Sequence, residues 1–196
     1  MKEERIAALN EEIKKNYPEE KIIIGYGNLN CDLMLLGEAP GAKEIELGEP
    51  FVGQAGKYFE EFLSFLNLKR EDVYITNSVK YRPTKTNPKT NRLSNRTPTS
   101  KEIDAFRAYV YEEISIIRPK LIATLGNIPL KLIFNDDIKI GKVHGQLMEK
   151  KIRDTVYNIF PLYHPAAVIY NRRLKDIYME DLAILKKELK KIIKKG

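Results

Sequence analysis

The sequence has few of the residues that build disulfides, metal centres or membrane anchors. Its 196 residues include two histidines, no tryptophan and a single cysteine, Cys31. One cysteine excludes a disulfide within the chain and any all-cysteine metal site formed by one copy. No apolar run approaches the roughly 20 residues that cross a bilayer, and the charged start, MKEERIAALNEEIKKN, is unlike a signal peptide. We therefore expect one cytoplasmic domain over residues 1–196, monomeric and without a membrane segment.

Acidic residues are absent from one long basic stretch. Between Lys80 and Lys101 the chain carries seven basic residues and no acidic one. They are Lys80, Arg82, Lys85, Lys89, Arg92, Arg96 and Lys101. Together with a net charge of +7, this stretch favours a polyanionic partner, and we predict that it contacts phosphates. Six further lysines lie within residues 186–196, spaced as on the solvated face of a terminal helix.

Apolar runs that are typical of strands alternate with helical patterns along the chain. Strands are predicted over residues 22–24, 32–36, 73–76, 121–125 and 156–162. Helices are predicted over residues 2–16, 57–66, 100–117, 128–134 and 173–195. Residues 83–99 are polar, contain three prolines and are predicted to be loop. This alternation predicts an α/β fold with a mostly parallel sheet covered on both sides.

A glycine-rich segment, GEAPGAKEIELGEPFVGQAG from Gly37 to Gly56, connects a predicted strand to a predicted helix. It holds five of the eleven glycines. Glycines let a backbone approach a ligand closely, and backbone N–H groups are free at such a junction. Tight turns are the other common reason for glycine in a loop. We interpret the segment as a binding loop.

Three further residues with useful chemistry follow from the same pattern. Phe51 lies in the glycine-rich loop, Asn77 follows a predicted strand, and His164 follows the last one. Since the ends of parallel strands gather at one edge of a sheet, these side chains are expected to share a site. Phe51 offers a ring for stacking, and Asn77 offers a donor and an acceptor to a base edge. Each also has a structural alternative, as a core phenylalanine, a backbone-capping asparagine or a buried histidine.

Several well-known catalytic motifs are missing. The sequence has no nucleophile elbow, Walker loop, complete dinucleotide fingerprint or HExxH metal site. His144, between valine and glycine, is interpreted as structural. The residues alone thus indicate recognition of a base or nucleotide on an α/β sheet, without an evident covalent catalyst.

The same motifs resemble the uracil-DNA glycosylase superfamily, and its family 4 in particular. Besides the glycine-rich loop, the resemblance is carried by VYITNSVKYRP, NRTPTSKEI, IRPKLIATLG, YHPAAVI and LKDIYMEDL. It implies a three-layer α/β/α domain with a central, mostly parallel sheet of four strands. It also implies an enzyme that flips uracil out of DNA and hydrolyses its N-glycosidic bond, with uracil-containing DNA as its partner.

The resemblance also implies roles for individual residues. Backbone amides around Gly37, Ala39 and Gly41 would contact the base, Phe51 would stack on it and Asn77 would read its edge. His164 would stabilise the uracil oxygen that gains charge, and Glu44 would exclude thymine by crowding the C5 side. Lys80, Arg82 and the segment from Val168 to Arg172 would contact DNA, with that segment acting as a wedge. Ala39 replaces a catalytic aspartate of other branches, so Glu38 or a purely electrostatic mechanism is left to activate water.

The sequence departs from family 4 at its iron–sulfur cluster. That cluster needs four cysteines, whereas the matching positions are Tyr81, Phe106 and the neighbourhood of Asn10 and Ile13. Cys31 lies outside them. We predict no metal and no cofactor, with packing in the place of the cluster. Two alternatives to uracil excision stay open: a non-catalytic DNA-binding member, or a glycosylase for hypoxanthine or xanthine. A self-crosslinking reaction is not expected, because NRLSN lacks the histidine of the RRIH loop.

Overall fold

The computed structural model describes the backbone of residues 1–195, and the side chains of these except at 54–55, 169–170, 172 and 195. This part of the chain contains strands β1 to β8 and α-helices α1 to α8. The strands are β1 (Tyr26–Gly27), β2 (Leu33–Gly37), β3 (Tyr74–Asn77), β4 (Thr84–Thr86), β5 (Leu93–Asn95), β6 (Leu121–Leu125), β7 (Met148–Ile152) and β8 (Thr155–Leu162). The helices are α1 (Lys2–Asn16), α2 (Ala42–Leu47), α3 (Gln54–Leu66), α4 (Ser100–Ile117), α5 (Asn127–Phe134), α6 (Ile140–Val143), α7 (Pro165–Tyr170) and α8 (Arg172–Lys195).

The central sheet has six described strands in the order β1-β3-β2-β6-β8-β7. Its four inner strands, β3, β2, β6 and β8, are mutually parallel. The two edge strands, β1 and β7, pair antiparallel with their neighbours. The sheet thus has two more strands than the four that were predicted, and both are edge strands. Its mostly parallel character is confirmed. Strand β1 has only two residues and β7 reads MEKKI, so neither gives the apolar run that predicts a buried strand.

Apolar layers on both faces of the sheet confirm the three-layer arrangement. On one face α1 and α4 bury side chains such as Ile13, Phe106 and Val110. On the other, α3 and α8 bury Phe59 and Leu185 with their neighbours. Parallel strands covered on both sides read as continuous apolar runs, which is why the inner strands were predictable. No helix in the described residues is long and apolar enough to cross a membrane.

The basic segment predicted to be loop contains a small hairpin. Strands β4 and β5 pair antiparallel, with Thr84 opposite Asn95 and Thr86 opposite Leu93. Each strand has three residues and lacks a buried apolar face, so the sequence carries no alternating pattern to predict it. Residues 22–24, in contrast, form no strand, although Ile23 still donates one backbone hydrogen bond to Lys80.

Candidate functional site

A cavity of about 380 Å³ lies at the carboxyl edge of the parallel strands. Six of the residues predicted for the site line it: Ala39, Gly41, Glu44, Phe51, Asn77 and His164. They come from the loop after β2, the end of β3 and the end of β8. A larger groove of about 870 Å³ lies between α3, α7 and α8, but its lining is mainly apolar and contains none of these six. The smaller cavity is therefore the candidate site.

Gly37, the last residue of β2, allows two of these side chains to meet. A β-carbon at Gly37 would lie 2.5 Å from the Phe51 ring and 2.5 Å from the Asn77 side-chain oxygen. Any other residue would force one of them away, because such distances are far below van der Waals contact. The absence of a side chain at Gly37 thus brings the ring and the carboxamide together.

Phe51 forms an apolar wall of the cavity. Its ring packs on Phe59 with centroids 4.9 Å apart, and the residue is only 6% exposed. Its backbone has a φ of 55°, a left-handed conformation that is unfavourable for a bulky residue. The Arg70 guanidinium holds this turn by donating to the carbonyls of Pro50, at 3.2 Å, and Phe51. No sequence motif pointed to Arg70.

Glu44, on α2, ties the two halves of the glycine-rich loop together. Its Oε2 accepts a hydrogen bond from the Gly41 amide at 3.1 Å, and its Oε1 accepts one from the Gly53 amide at 2.9 Å. Both carboxylate oxygens are thus engaged by backbone, and the residue is 9% exposed. Glu44 therefore shapes the cavity wall. Its predicted role in excluding thymine stays a prediction.

Asn77 presents its carboxamide to the cavity. The residue is 4% exposed, and no hydrogen bond joins its side chain to any described residue. The neighbouring Ser78 instead satisfies the strand end, since its hydroxyl donates to the Gly37 carbonyl at 2.8 Å. The donor and the acceptor of Asn77 are thus both free of protein partners among the described residues and face the cavity, which favours a ligand that pairs with both.

His164 is held in one orientation at the start of α7. Its Nδ1 accepts a hydrogen bond from the Ala166 amide at 3.1 Å, which assigns the proton of the neutral ring to Nε2. Burial lowers the pKa of His164 below its ordinary value. The side chain is therefore a neutral donor near pH 7, with Nε2 available to a ligand in the cavity that it lines.

Glu38 does not contribute to the cavity lining. Its backbone carbonyl accepts from the Val79 amide at 3.1 Å, and burial raises the pKa of its carboxyl. The structure thus brings Phe51, Asn77 and His164 together but leaves this candidate base outside the group.

The burial of Lys80 contradicts the prediction that this residue contacts DNA. The residue is 1% exposed, and its Nζ lies 2.5 Å from Oε2 of Glu113, beside the hydroxyl of Thr76. A buried and paired ammonium cannot reach a phosphate. The sequence shows that Lys80 is charged, but only the fold shows that the turn after β3 directs the side chain to Glu113 on α4.

Of the other predicted DNA contacts whose side chains are described, only Arg82 is linked to the cavity. Arg82 donates from Nε to the Asn95 side-chain oxygen at 2.7 Å. Val168, on α7, is half-buried against the core and lines the larger groove, and the side chain of Arg172 is outside the described residues. Asn95 itself lines the cavity, which sequence reasoning missed although the residue begins the NRTP motif.

The positions that match the cluster ligands do not fit an iron–sulfur cluster. Rings fill the space between α1 and α4: Tyr17 stacks on Phe106 at 4.7 Å, and Tyr81 meets Phe106 at 5.7 Å. Ile13 is 1% exposed beside them. Burial raises the pKa of the single cysteine, Cys31, to about 11, so it is a protonated thiol. Among the described residues no group of three or more His, Cys, Asp or Glu is placed to hold a metal ion.

Comparison with known proteins agrees with the geometry of the cavity. The sequence model of the uracil DNA glycosylase superfamily matches residues 24–186. A type-4 uracil-DNA glycosylase from Archaeoglobus fulgidus is 37% identical over 172 residues, which cover 86% of this chain and 79% of that protein. One from Sulfurisphaera tokodaii is 40% identical, covering 80% and 70%, and one from Thermotoga maritima is 33% identical, covering 97% of both. The chain therefore belongs to the uracil-DNA glycosylase superfamily and is similar to its type-4 members.

Proposed function

We propose that the protein is a uracil-DNA glycosylase, which hydrolyses the N-glycosidic bond of a uracil flipped out of DNA and so starts base excision repair. The observation that carries this proposal is the meeting of the Phe51 ring, the unpaired Asn77 carboxamide and the neutral His164 in one cavity. The related proteins from Archaeoglobus fulgidus and Thermotoga maritima are named as uracil-DNA glycosylases.

Recognition of the base follows from the cavity walls. A flipped uracil lies against the Phe51 ring, and its adjacent carbonyl and N–H groups pair with the amide and the carbonyl of Asn77. Neither Asn77 group has a partner among the described residues, so a matched base pairs with both without breaking a hydrogen bond within the protein. A base edge without an adjacent donor and acceptor leaves at least one of these groups unpaired, which is how such sites discriminate.

Bond breakage leaves negative charge on the uracil and positive charge on the sugar. In this proposal the Nε2–H of His164 donates to the uracil oxygen on which the negative charge develops. One preoriented donor of this kind contributes about 3 kcal/mol to the reaction. The neutral imidazole donates from Nε2 while its unprotonated Nδ1 accepts from the Ala166 amide, which keeps the ring in this orientation.

Water activation is assigned mainly to electrostatics. Within the described cavity lining the one carboxylate is Glu44, and backbone amides engage both of its oxygens. Glu38 lies outside that lining. We therefore propose that stabilisation of the separated charges, rather than a strong general base, supplies most of the rate, with Glu38 as the remaining candidate base.

The test is base release from oligonucleotides that contain uracil, hypoxanthine or xanthine, followed by alkaline cleavage at the abasic site. We expect cleavage of uracil-containing single and double strands, and at least a hundredfold loss in His164→Ala. DNA binding by the wild type, with no more cleavage than His164→Ala shows, would favour a non-catalytic DNA-binding protein. Cleavage confined to hypoxanthine or xanthine would replace uracil as the substrate.

We also propose that this activity needs no iron–sulfur cluster. The aromatic residues between α1 and α4 occupy the positions of its ligands. Purified protein should contain no stoichiometric iron, show no visible absorbance band, and keep its activity after prolonged chelation. Bound iron that is needed for activity would contradict this.

A further inference from the structure

The β4–β5 hairpin is fixed to the rim of the candidate site. Asn95, the last residue of β5, lines the cavity and accepts a hydrogen bond from Arg82. The next residue, Arg96, donates to both carboxylate oxygens of Glu102 at 2.7 and 2.8 Å, near the start of α4. The base of the hairpin is thus anchored to the body of the protein, and the rest extends away from the cavity.

The outer part of the hairpin is exposed and carries positive charge. Lys85, Lys89 and Arg92 are exposed, and none of them forms an ion pair with any residue in the described part of the chain. Leu93, next to Arg92 and opposite Thr86 in the hairpin, is 61% exposed. A large apolar side chain beside unpaired cations suits a single nucleic-acid strand, which offers phosphates and base faces together.

The position of the hairpin in the fold indicates which DNA strand it meets. It follows β3, whereas α7 follows β8, and β2 and β6 lie between these two strands. Three strand spacings separate the two elements, about 14 Å. Asn95, at the end of the hairpin, and Ala166, on α7, both line the cavity. A DNA strand that places a base in the cavity therefore passes α7 on one flank and the hairpin on the other.

We propose that the hairpin grips the strand that carries the flipped base, on the flank away from α7. Leu93 is two residues from Asn95, about 7 Å along the strand, which matches roughly two nucleotide steps of 3.4 Å. Lys85, Lys89 and Arg92 contact phosphates on that flank, and Leu93 packs on a base there. The identity of the flipped base rests on the proposed function, but the grip itself does not require turnover.

Two triple variants with the same change of charge test the proposal. Lys85→Ala/Lys89→Ala/Arg92→Ala removes the hairpin charges, and Lys187→Ala/Lys190→Ala/Lys194→Ala removes three exposed charges of α8. Binding is measured by fluorescence anisotropy on single-stranded DNA with 2′-fluorodeoxyuridine, which resists base release. We expect the slope of log K against log salt to fall by about 2 in the hairpin variant, from three contacts of about 0.7 each. The α8 variant should keep the wild-type slope.

Shortening the oligonucleotide from each side of the uracil then locates the grip. The wild-type protein should bind more weakly when the oligonucleotide is shortened on either side of the uracil. The affinity of the hairpin variant should no longer depend on the length of one side. Leu93→Ala should weaken binding about tenfold without changing the salt slope. Equal slopes in the two triple variants, or unchanged dependence on both flanks, would overturn the proposal. Should the wild type release no uracil, the proposed function fails, while these binding results still decide the role of the hairpin.

Discussion

At the residue scale, the site depends on side chains that the fold leaves without partners. Asn77 is buried at the end of β3, yet its carboxamide forms no hydrogen bond with the described residues. Thr76, one residue earlier, points to the other face and is fully engaged with Glu113. Alternation along the strand separates a structural polar residue from one that is free for a ligand.

Asn77→Ala should therefore lose activity without losing stability. Two hydrogen bonds of about 1.5 kcal/mol each correspond to roughly a hundredfold fall in kcat/KM for uracil release. The free energy of unfolding should change little, because the carboxamide forms no hydrogen bond with the described residues and faces the cavity. Single-turnover kinetics and urea denaturation measure the two effects. A marked loss of stability would instead identify Asn77 as a structural capping residue.

Protonation of His164 should make the rate of uracil release fall at acidic pH. Burial lowers its pKa in the folded protein, so the ring is neutral at pH 7 and becomes protonated only as pH falls through that lowered pKa. The unfolded chain takes up a proton first, near its ordinary pKa of about 6.5. Stability should therefore decline as pH falls from there towards the folded pKa.

Activity should follow the protonation of the folded protein. We expect kcat/KM to fall on the acidic side, because Nδ1 must lose its bond to the Ala166 amide when it is protonated. The pH–rate profile of His164→Gln should lack this fall at acidic pH. The profile of His144→Gln should keep it, because His144 is hydrogen-bonded to Asp181 and does not line the cavity. An unchanged acidic limb in His164→Gln would assign the titration to another group.

At the element scale, the glycine-rich loop is shaped by charged side chains around it. Glu44 connects Gly41 to Gly53, and Arg70 holds the turn at Phe51. The loop also contains a short helix, α2, which the glycines and prolines of the segment did not predict. Its conformation thus depends on contacts between residues up to 20 positions apart.

Glu44→Ala should loosen the loop and lower uracil release. Hydrogen bonds to a charged group contribute about 1.5–3 kcal/mol each, so the Gly41 and Gly53 amides should exchange with solvent much faster. Hydrogen exchange of peptides covering residues 41–53 measures this, and Glu44→Gln, which keeps one acceptor, should show an intermediate effect. Thymine release by Glu44→Ala would support the predicted gate, and unchanged exchange would contradict the role in holding the loop.

At the scale of the whole molecule, the layer between α1 and α4 stabilises the fold through rings. Phe106 is fully buried between Tyr17 and Tyr81. Phe106→Ala should cost about 3–5 kcal/mol of stability, since it opens a cavity in the core. Denaturant unfolding measures the loss, and Phe106→Leu should recover much of it. A small effect in Phe106→Ala would show that this layer does not stabilise the domain.

The buried ion pair beneath β3 gives a second prediction for the molecule as a whole. Lys80→Met leaves Glu113 charged and uncompensated, which should cost about 3–5 kcal/mol. Lys80→Met/Glu113→Gln removes both charges and keeps an acceptor for the Tyr74 and Thr76 hydroxyls, so it should recover most of that loss. The salt dependence of DNA binding in the double variant should match the wild type. A reduced slope would mean that Lys80 contacts phosphates.

Patterns that arise within a few residues were predictable from the sequence. The four inner strands follow from apolar runs, α4 from the spacing of its apolar residues, and the shared location of Asn77 and His164 from the ends of parallel strands. The resemblance carried by the glycine-rich loop and YHPAAVI indicated the superfamily to which the chain belongs.

Whatever depends on which face a side chain takes was decided only by the tertiary structure. Lys80 and Arg82 are two residues apart and equally basic in sequence, yet one pairs with Glu113 in the core and the other reaches Asn95 at the cavity rim. Asn95 lines the cavity and Arg70 holds the turn at Phe51, each from a segment distant in the chain, through contacts that no local spacing encodes. The sequence by itself determined the α/β framework and the chemistry available, because periodicity and residue type are local. The packing of distant segments decided which of those groups are buried, paired or left open to a ligand.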